Sequence, residues 1–163
     1  MINRVCRALI IVLLSASTGL AGAPDTSVAS GTRIAVIVNG ENPVEQLSLA
    51  DLQRILLGER RSWSARIPVV LMMRNEESRE RILLLRKVCH MTDAEYHQYW
   101  TGKIFRGDVT SEPVSLPSIG TALNFVSSIK GGISFIDAAS VKPGIKVMRI
   151  DGRLPGEQGY PLQ

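Results

Sequence analysis

The chain has 163 residues, with nineteen Lys and Arg against fifteen Asp and Glu, and only 5% of it is aromatic. An excess of +4 with few aromatics among the basic side chains argues against a nucleic-acid partner, which calls for dense basic patches and stacking platforms. At this length one hydrophobic core, and so a single domain, is the expectation.

The first residues read as an export signal. Asn3, Arg4 and Arg7 make a basic start, Ala8 to Leu14 an apolar core, and Ala21-Gly22-Ala23 a small-residue exit. Cleavage is expected after Ala21, with Ala23 as the alternative, so residues 1–21 are the signal peptide and the mature protein is periplasmic. An uncleaved anchor is the competing reading, although the apolar core is short for a membrane span. Removal leaves seventeen basic against fifteen acidic residues, a net of +2. Cys6 leaves with the signal, so Cys89 is the one mature cysteine and no internal disulfide is expected. Residues 22–32, small and polar, read as a flexible leader.

The domain is expected over residues 33–150. Ile34-Ala35-Val36-Ile37-Val38 is a buried strand ending in the turn-rich Asn39-Gly40-Glu41-Asn42-Pro43. Ser48 caps the next helix with Asp51 three residues on, Leu47 and Leu52 have the spacing of a hydrophobic staple, Leu49, Leu52, Ile55 and Leu56 form the inner face, and Gly58 stops it. A charged connection carrying Trp63 leads to Pro68-Val69-Val70-Leu71-Met72-Met73, apolar at every position, which predicts a central strand covered on both faces over 67–73. A helix over 79–89 follows, its apolar face made of Ile82, Leu85, Val88 and Cys89, the last a buried, inert thiol. Thr92-Asp93-Ala94-Glu95 is a capping box that starts a helix through Tyr96, Tyr99, Trp100 and Phe105. Residues 107–117 are turn-rich. Ser118 opens a helix with Ile119, Leu123, Val126 and Ile129 on one face, ended by Gly131-Gly132. Ile133 to Ile136 and Ile145 to Ile150 are two more strands, and residues 151–163, rich in Gly and Pro, read as a loose tail. Strands alternating with helices make an α/β domain with a parallel or mixed sheet flanked by helices.

Few side chains are arranged for chemistry. His90 and His97 stand seven apart across a helix start, which is not chelating geometry, and neither a nucleophile elbow nor a catalytic order of Ser, His and Asp is present, so no metal, cofactor or enzymatic activity is expected. The tyrosines and tryptophans at helical spacing read as core. Arg74 and Ser78 differ, because the end of a strand and the start of a helix are where open α/β sheets hold ligands and where free backbone N–H groups and the helix dipole favour anions. A guanidinium offers a planar fork for two oxyanion oxygens, the serine hydroxyl supplies another donor, and Glu76 would accept a hydrogen bond from a protonated oxyanion. The opposing reading makes Arg74 an ion-pair partner of Glu76 or Glu77 and Ser78 a plain cap. Between Arg54 and Lys87 nine basic residues face four acidic ones, an excess that attracts anions or lies on solvated helix faces.

Taken together, Leu49-x-x-Leu52-x-x-Ile55-Leu56-Leu57-Gly58, then Trp63, a strand, Arg74-x-Glu76-x-Ser78 and Gly131-Gly132-Ile133-Ser134-Phe135 resemble the phosphate-binding protein of the Pst-type ABC transporter, a type II periplasmic binding protein. The resemblance runs from Ile34 to Ile150 and spans about one lobe of a two-lobed clamp. It implies a periplasmic-binding-protein-like fold and a site for phosphate or a similar oxyanion, with Arg74 as guanidinium donor, Glu76 as acceptor of the anion's proton and Ser78 as hydroxyl donor. Arg79 and Glu80 stand where the family has Gly and Thr, which puts the Arg79 side chain at the ligand loop. It further implies transport, with the membrane component of an ABC transporter or an envelope sensor as partner. Two other readings stand beside it: a ligand-free lobe that serves as an interaction module for an envelope protein, and a homodimer that rebuilds a two-sided cleft.

Overall fold

The computed structural model describes residues 32–163, so the expected signal peptide and nearly all of the expected leader lie outside the described residues. The sheet is built outward from β1, Ile34–Val38, whose five residues are all buried. It pairs antiparallel with β7, Gly132–Asp137, from Ile34 opposite Asp137 to Val38 opposite Ile133. β8, Lys146–Val147, lies antiparallel on the other side of β1. β5, Val70–Arg74, runs parallel to β7, and β6, Val114–Leu116, runs parallel to β5 at the edge. The order β6-β5-β7-β1-β8 makes a mixed sheet.

Side-chain alternation along a strand divides the core in two. Ile34, Val36, Val38, Ile133 and Phe135 face one side and pack on α1 (Leu49–Leu56), α2 (Arg79–Leu84) and α3 (Asp93–Phe105). Ala35, Ile37 and Ile136 face the other side and pack on Ala122, Leu123, Phe125 and Val126 of α4, Ile119–Ser128. The helix starts are those that the capping residues predict. Asp51 N–H donates to Ser48 Oγ at 3.0 Å, Thr121 N–H donates to Ser118 Oγ at 3.0 Å, and Thr92 and Glu95 close a complete capping box. The two hydrogen bonds from Thr92, backbone first, hold the Glu95 carboxyl below its ordinary pKa.

Five expectations are corrected. The stretch over 67–73 is not one central strand: β4, Ile67–Pro68, pairs with β3, Ser62–Ser64, and β5 lies second from the edge, with Val70, Leu71 and Met72 half-buried. The physical reason is that β6 covers β5 only from Met72 to Arg74. β6 falls within the stretch read as turns, a three-residue edge strand between Pro113 and Pro117. The helix over 79–89 ends in a widened π-turn, Leu85–Cys89, closed by His90 at φ 56°; Ile82 is exposed, and Leu84 takes its place in the core. The single strand over 145–150 is two, because the chain leaves β1 after Val147 and β9, Arg149–Ile150, pairs parallel with β2, Gln46–Leu47. The tail is not loose, since Tyr160 and Leu162 are buried in the larger core and the Ile34 N–H donates to the Leu162 carbonyl at 2.9 Å.

Cys89 is buried, and desolvation pushes its thiol up to about 12. A thiol reagent at about pH 8 should therefore react slowly with the native protein and quickly in denaturant. A folded-state pKa raised above 9.0 means that the folded chain holds its proton longer than the unfolded one. This contribution is complete below the unfolded value and is lost as pH rises toward the folded one, so unfolding at about pH 10.5 should be easier than at about pH 8, and less so in Cys89→Ala.

Candidate functional site

The loop Arg74–Ser78 leaves the carboxyl end of β5 and enters α2. Its form is set by local bonds: Ser78 N–H donates to the Asn75 carbonyl at 2.9 Å, and Ser78 Oγ accepts from Arg81 N–H at 3.4 Å, which caps the helix. The cap uses an oxygen lone pair and leaves the hydroxyl hydrogen of the buried Ser78 available as a donor.

Arg74 does not present a free fork. Nη1 donates to the Leu116 carbonyl at 3.0 Å, where the Asn75 N–H also arrives at 3.1 Å, so the end of β6 and the start of the α4 connection are tied to the loop. Arg74 Nε is buried and has no hydrogen-bond partner among the described residues, and the same is true of Asn75 Oδ1. No ion pair joins Arg74 to Glu76 or Glu77 among the described residues. The two carboxylates are exposed, and Glu76 lines a crevice of about 230 Å³ with Ile82, Arg86, Met91, Thr92 and Asp93, between α2 and the start of α3. Arg79 opens α2 with an exposed side chain, while Glu80 is buried. The backbone of the loop thus links Asn75 to Ser78 and to Leu116, with Arg74 Nη1 on the same Leu116 carbonyl, while Glu76 and Arg79 are exposed.

The sequence reading misses Arg81 and Asp93. Arg81 is buried, donates through Nη1 to the Arg74 carbonyl at 3.3 Å and through Nε to Asp93 Oδ1 at 2.5 Å. The available signal was a basic residue in the first turn of a helix, where acidic side chains are favoured.

Several other polar side chains are engaged by the protein itself, although Asn42 Nδ2, Trp100 Nε1 and Ser134 Oγ are also buried without a partner among the described residues. Trp63 Nε1 donates to the Gly131 carbonyl at 3.0 Å, and the Tyr96 and Tyr99 hydroxyls donate to the Leu56 and Leu57 carbonyls at 2.6 and 3.1 Å, so the aromatic residues are core and helix-end supports. A groove of about 480 Å³ lies along the amino-terminal half of β5, but its cations are engaged: Arg60 pairs with Asp51, and Arg61 donates to the Gly58 and Asp108 carbonyls. His97 pairs with Glu112 on the surface at 3.0 Å. Among the described residues no three His, Cys, Asp or Glu side chains converge, and no helix is long and apolar enough to cross a membrane.

Solved structures share this architecture. PstS from Borrelia burgdorferi superposes with a TM-score of 0.63 at 14% identity, over 80% of this chain and 53% of that one. An ABC-type phosphate transport receptor from Vibrio cholerae gives 0.60 at 16% identity, over 75% and 48%. A protein from Clostridium perfringens, assigned as a phosphate ABC transporter substrate-binding protein and solved with bound phosphate, gives 0.60 at 22% identity, over 74% and 45%. The chain thus has the fold of phosphate ABC transporter substrate-binding proteins, and it spans about half their length. No protein-family model matches the chain, and no curated protein matches it in sequence.

Proposed function

We propose that the chain is an exported phosphate- or oxyanion-binding protein whose site is the Arg74–Ser78 loop. The observation that carries this reading is Arg74 itself: it stands at the carboxyl end of a parallel strand beside a capped helix start, one arm held by the Leu116 carbonyl and Nε buried without a partner among the described residues. A buried donor without an acceptor is costly, and an oxyanion oxygen is the acceptor that its charge favours. Ser78 adds a hydroxyl donor, and Glu76, turned from its exposed position, accepts the proton of hydrogen phosphate. Arg79, exposed on the first turn, supplies long-range attraction more than a fixed contact. The solved proteins of this fold include one with phosphate bound, which supports the choice of anion.

The described residues offer donors to the anion from one side only, so binding by them is weak, with Kd on the order of a millimolar. The reading extends to delivery of the anion to an ABC transporter's membrane component or to an envelope sensor. Calorimetric titration with inorganic phosphate should show binding that Arg74→Ala abolishes. A flat titration of the unaltered protein at millimolar phosphate would sink the reading.

A second reading, an interaction module without ligand, is favoured by the exposure of Phe105, 93% accessible, and of Ile104 and Val114. It predicts that flat titration, together with a periplasmic partner retained with or without phosphate and lost in Phe105→Asp.

A further inference from the structure

A guanidinium in the first turn of a helix faces the positive end of the helix dipole, and burial removes its water; both are unfavourable unless the charge is paired. Arg81 is in that position at 7% exposure. Its pairing reaches two elements: Nε donates to Asp93 Oδ1 at the start of α3, Nη1 donates to the Arg74 carbonyl at the end of β5, and Cζ stands 5.8 Å from the centre of the Tyr96 ring, also on α3.

The carbonyl that Arg81 holds belongs to the peptide group linking Arg74 to Asn75. The N–H of the same group donates to the Leu116 carbonyl. One planar unit is therefore fixed at both ends, by a charged donor from α2 and by a backbone acceptor from β6. Its orientation sets ψ of Arg74 and φ of Asn75, and with them the direction of the Arg74 side chain and of the turn that the Ser78 N–H closes on Asn75. We propose that Arg81, braced by Asp93, is a positioning residue for the anion loop, an inference that rests on the oxyanion reading above. Asp93 orients the guanidinium, the guanidinium fixes the peptide, and the peptide aims the loop.

An ion pair that only joined α2 to α3 would need Nε alone; the bond to the Arg74 carbonyl is the additional one that reaches the site. Lysine separates the two roles, because its ammonium keeps the charge beside Asp93 but lacks the fork needed to hold both acceptors at once. Arg81→Lys should therefore keep an unfolding midpoint in urea close to that of the unaltered protein and weaken inorganic phosphate about tenfold, the loss of one charge-assisted hydrogen bond. Its Asn75 amide should exchange faster with deuterium. Should Arg81→Ala fail to fold, Arg81→Lys still carries the test. Unchanged phosphate affinity in Arg81→Lys overturns the proposal, as does a loss of affinity that follows a matching fall in stability. If the unaltered protein binds no phosphate, the oxyanion reading fails by itself, and amide exchange decides the positioning role: faster exchange at Asn75 in Arg81→Lys upholds it, and unchanged exchange overturns it.

Discussion

Gly131→Ala is expected to destabilise the protein by about 3 kcal/mol or more, beyond the usual range for one added methyl in a packed core. A Cβ on Gly131 would stand 1.9 Å from the Pro68 carbonyl oxygen, and that oxygen belongs to backbone rather than to a side chain that can turn aside. The surrounding chain has little freedom to retreat. Val69 N–H donates to the Arg61 carbonyl at 2.9 Å, Val70 N–H donates to Gly131's own carbonyl at 2.9 Å, and Trp63 Nε1 donates to the same oxygen. Relief of the clash must push β4 and the start of β5 away from β7, which breaks the bonds that set the register of Val70 opposite Gly132. Gly40→Ala is the matched control, because no atom lies within 4 Å of its added Cβ, and its effect should stay within about 0.5 kcal/mol. Urea unfolding followed by the fluorescence of Trp63 and Trp100, both buried, measures the two variants. Equal midpoints would mean that the Pro68 backbone does not rest on Gly131. Because β5 carries Arg74 at its far end, the displacement should reach the candidate site as well.

The parts of this fold that could be read in the sequence are those encoded locally. Ser48, Thr92 and Ser118 each meet their partner three residues on, so the starts of α1, α3 and α4 depend on no distant contact. β1 is a continuous apolar run, and in β7 only the buried Ser134 interrupts Ile133, Phe135 and Ile136. The errors concern pairing. Whether a run such as Val70 to Met73 is central or next to an edge depends on the length of its neighbour, and β6 is three residues framed by prolines. Spacing alone does not decide between Ile82 and Leu84 as the buried residue, because the Leu83-Leu84-Leu85 run fits either phase of the helix. At the site, a strand end followed by a helix cap was legible at Arg74 and Ser78. The partners were not: the Leu116 carbonyl lies 42 residues from Arg74 and Asp93 lies 12 from Arg81, and no spacing rule links them.

The clearest conflict between composition and packing lies at the end of the chain, where it sets the second large effect. Gly152, Pro155, Gly156, Gly159 and Pro161 read as breakers, and residues 151–163 form no helix or extended strand, only turns and one isolated bridge at Arg153. Those turns nevertheless carry Tyr160 and Leu162 into the core, 2% and 0% exposed. The Tyr160 hydroxyl donates to the Ile34 carbonyl at 2.7 Å, and burial raises its pKa, so it remains a donor across the physiological range. Together with the Ile34 N–H bond to Leu162, this latches the tail to the first residue of β1. β1 runs antiparallel to β7 and β7 parallel to β5, so that latch lies at the same end of the sheet as Arg74. Tyr160→Ala should cost about 3–5 kcal/mol and Leu162→Ala about 2–5 kcal/mol, the range for truncating buried aromatic and aliphatic side chains. Tyr160→Phe, which loses only the hydroxyl, should cost about 1 kcal/mol. A loose tail would give all three variants the urea midpoint of the unaltered chain, because a side chain that is exposed in both states contributes nothing to the difference between them. The graded series therefore separates burial from hydrogen bonding at the one segment whose composition argues against both.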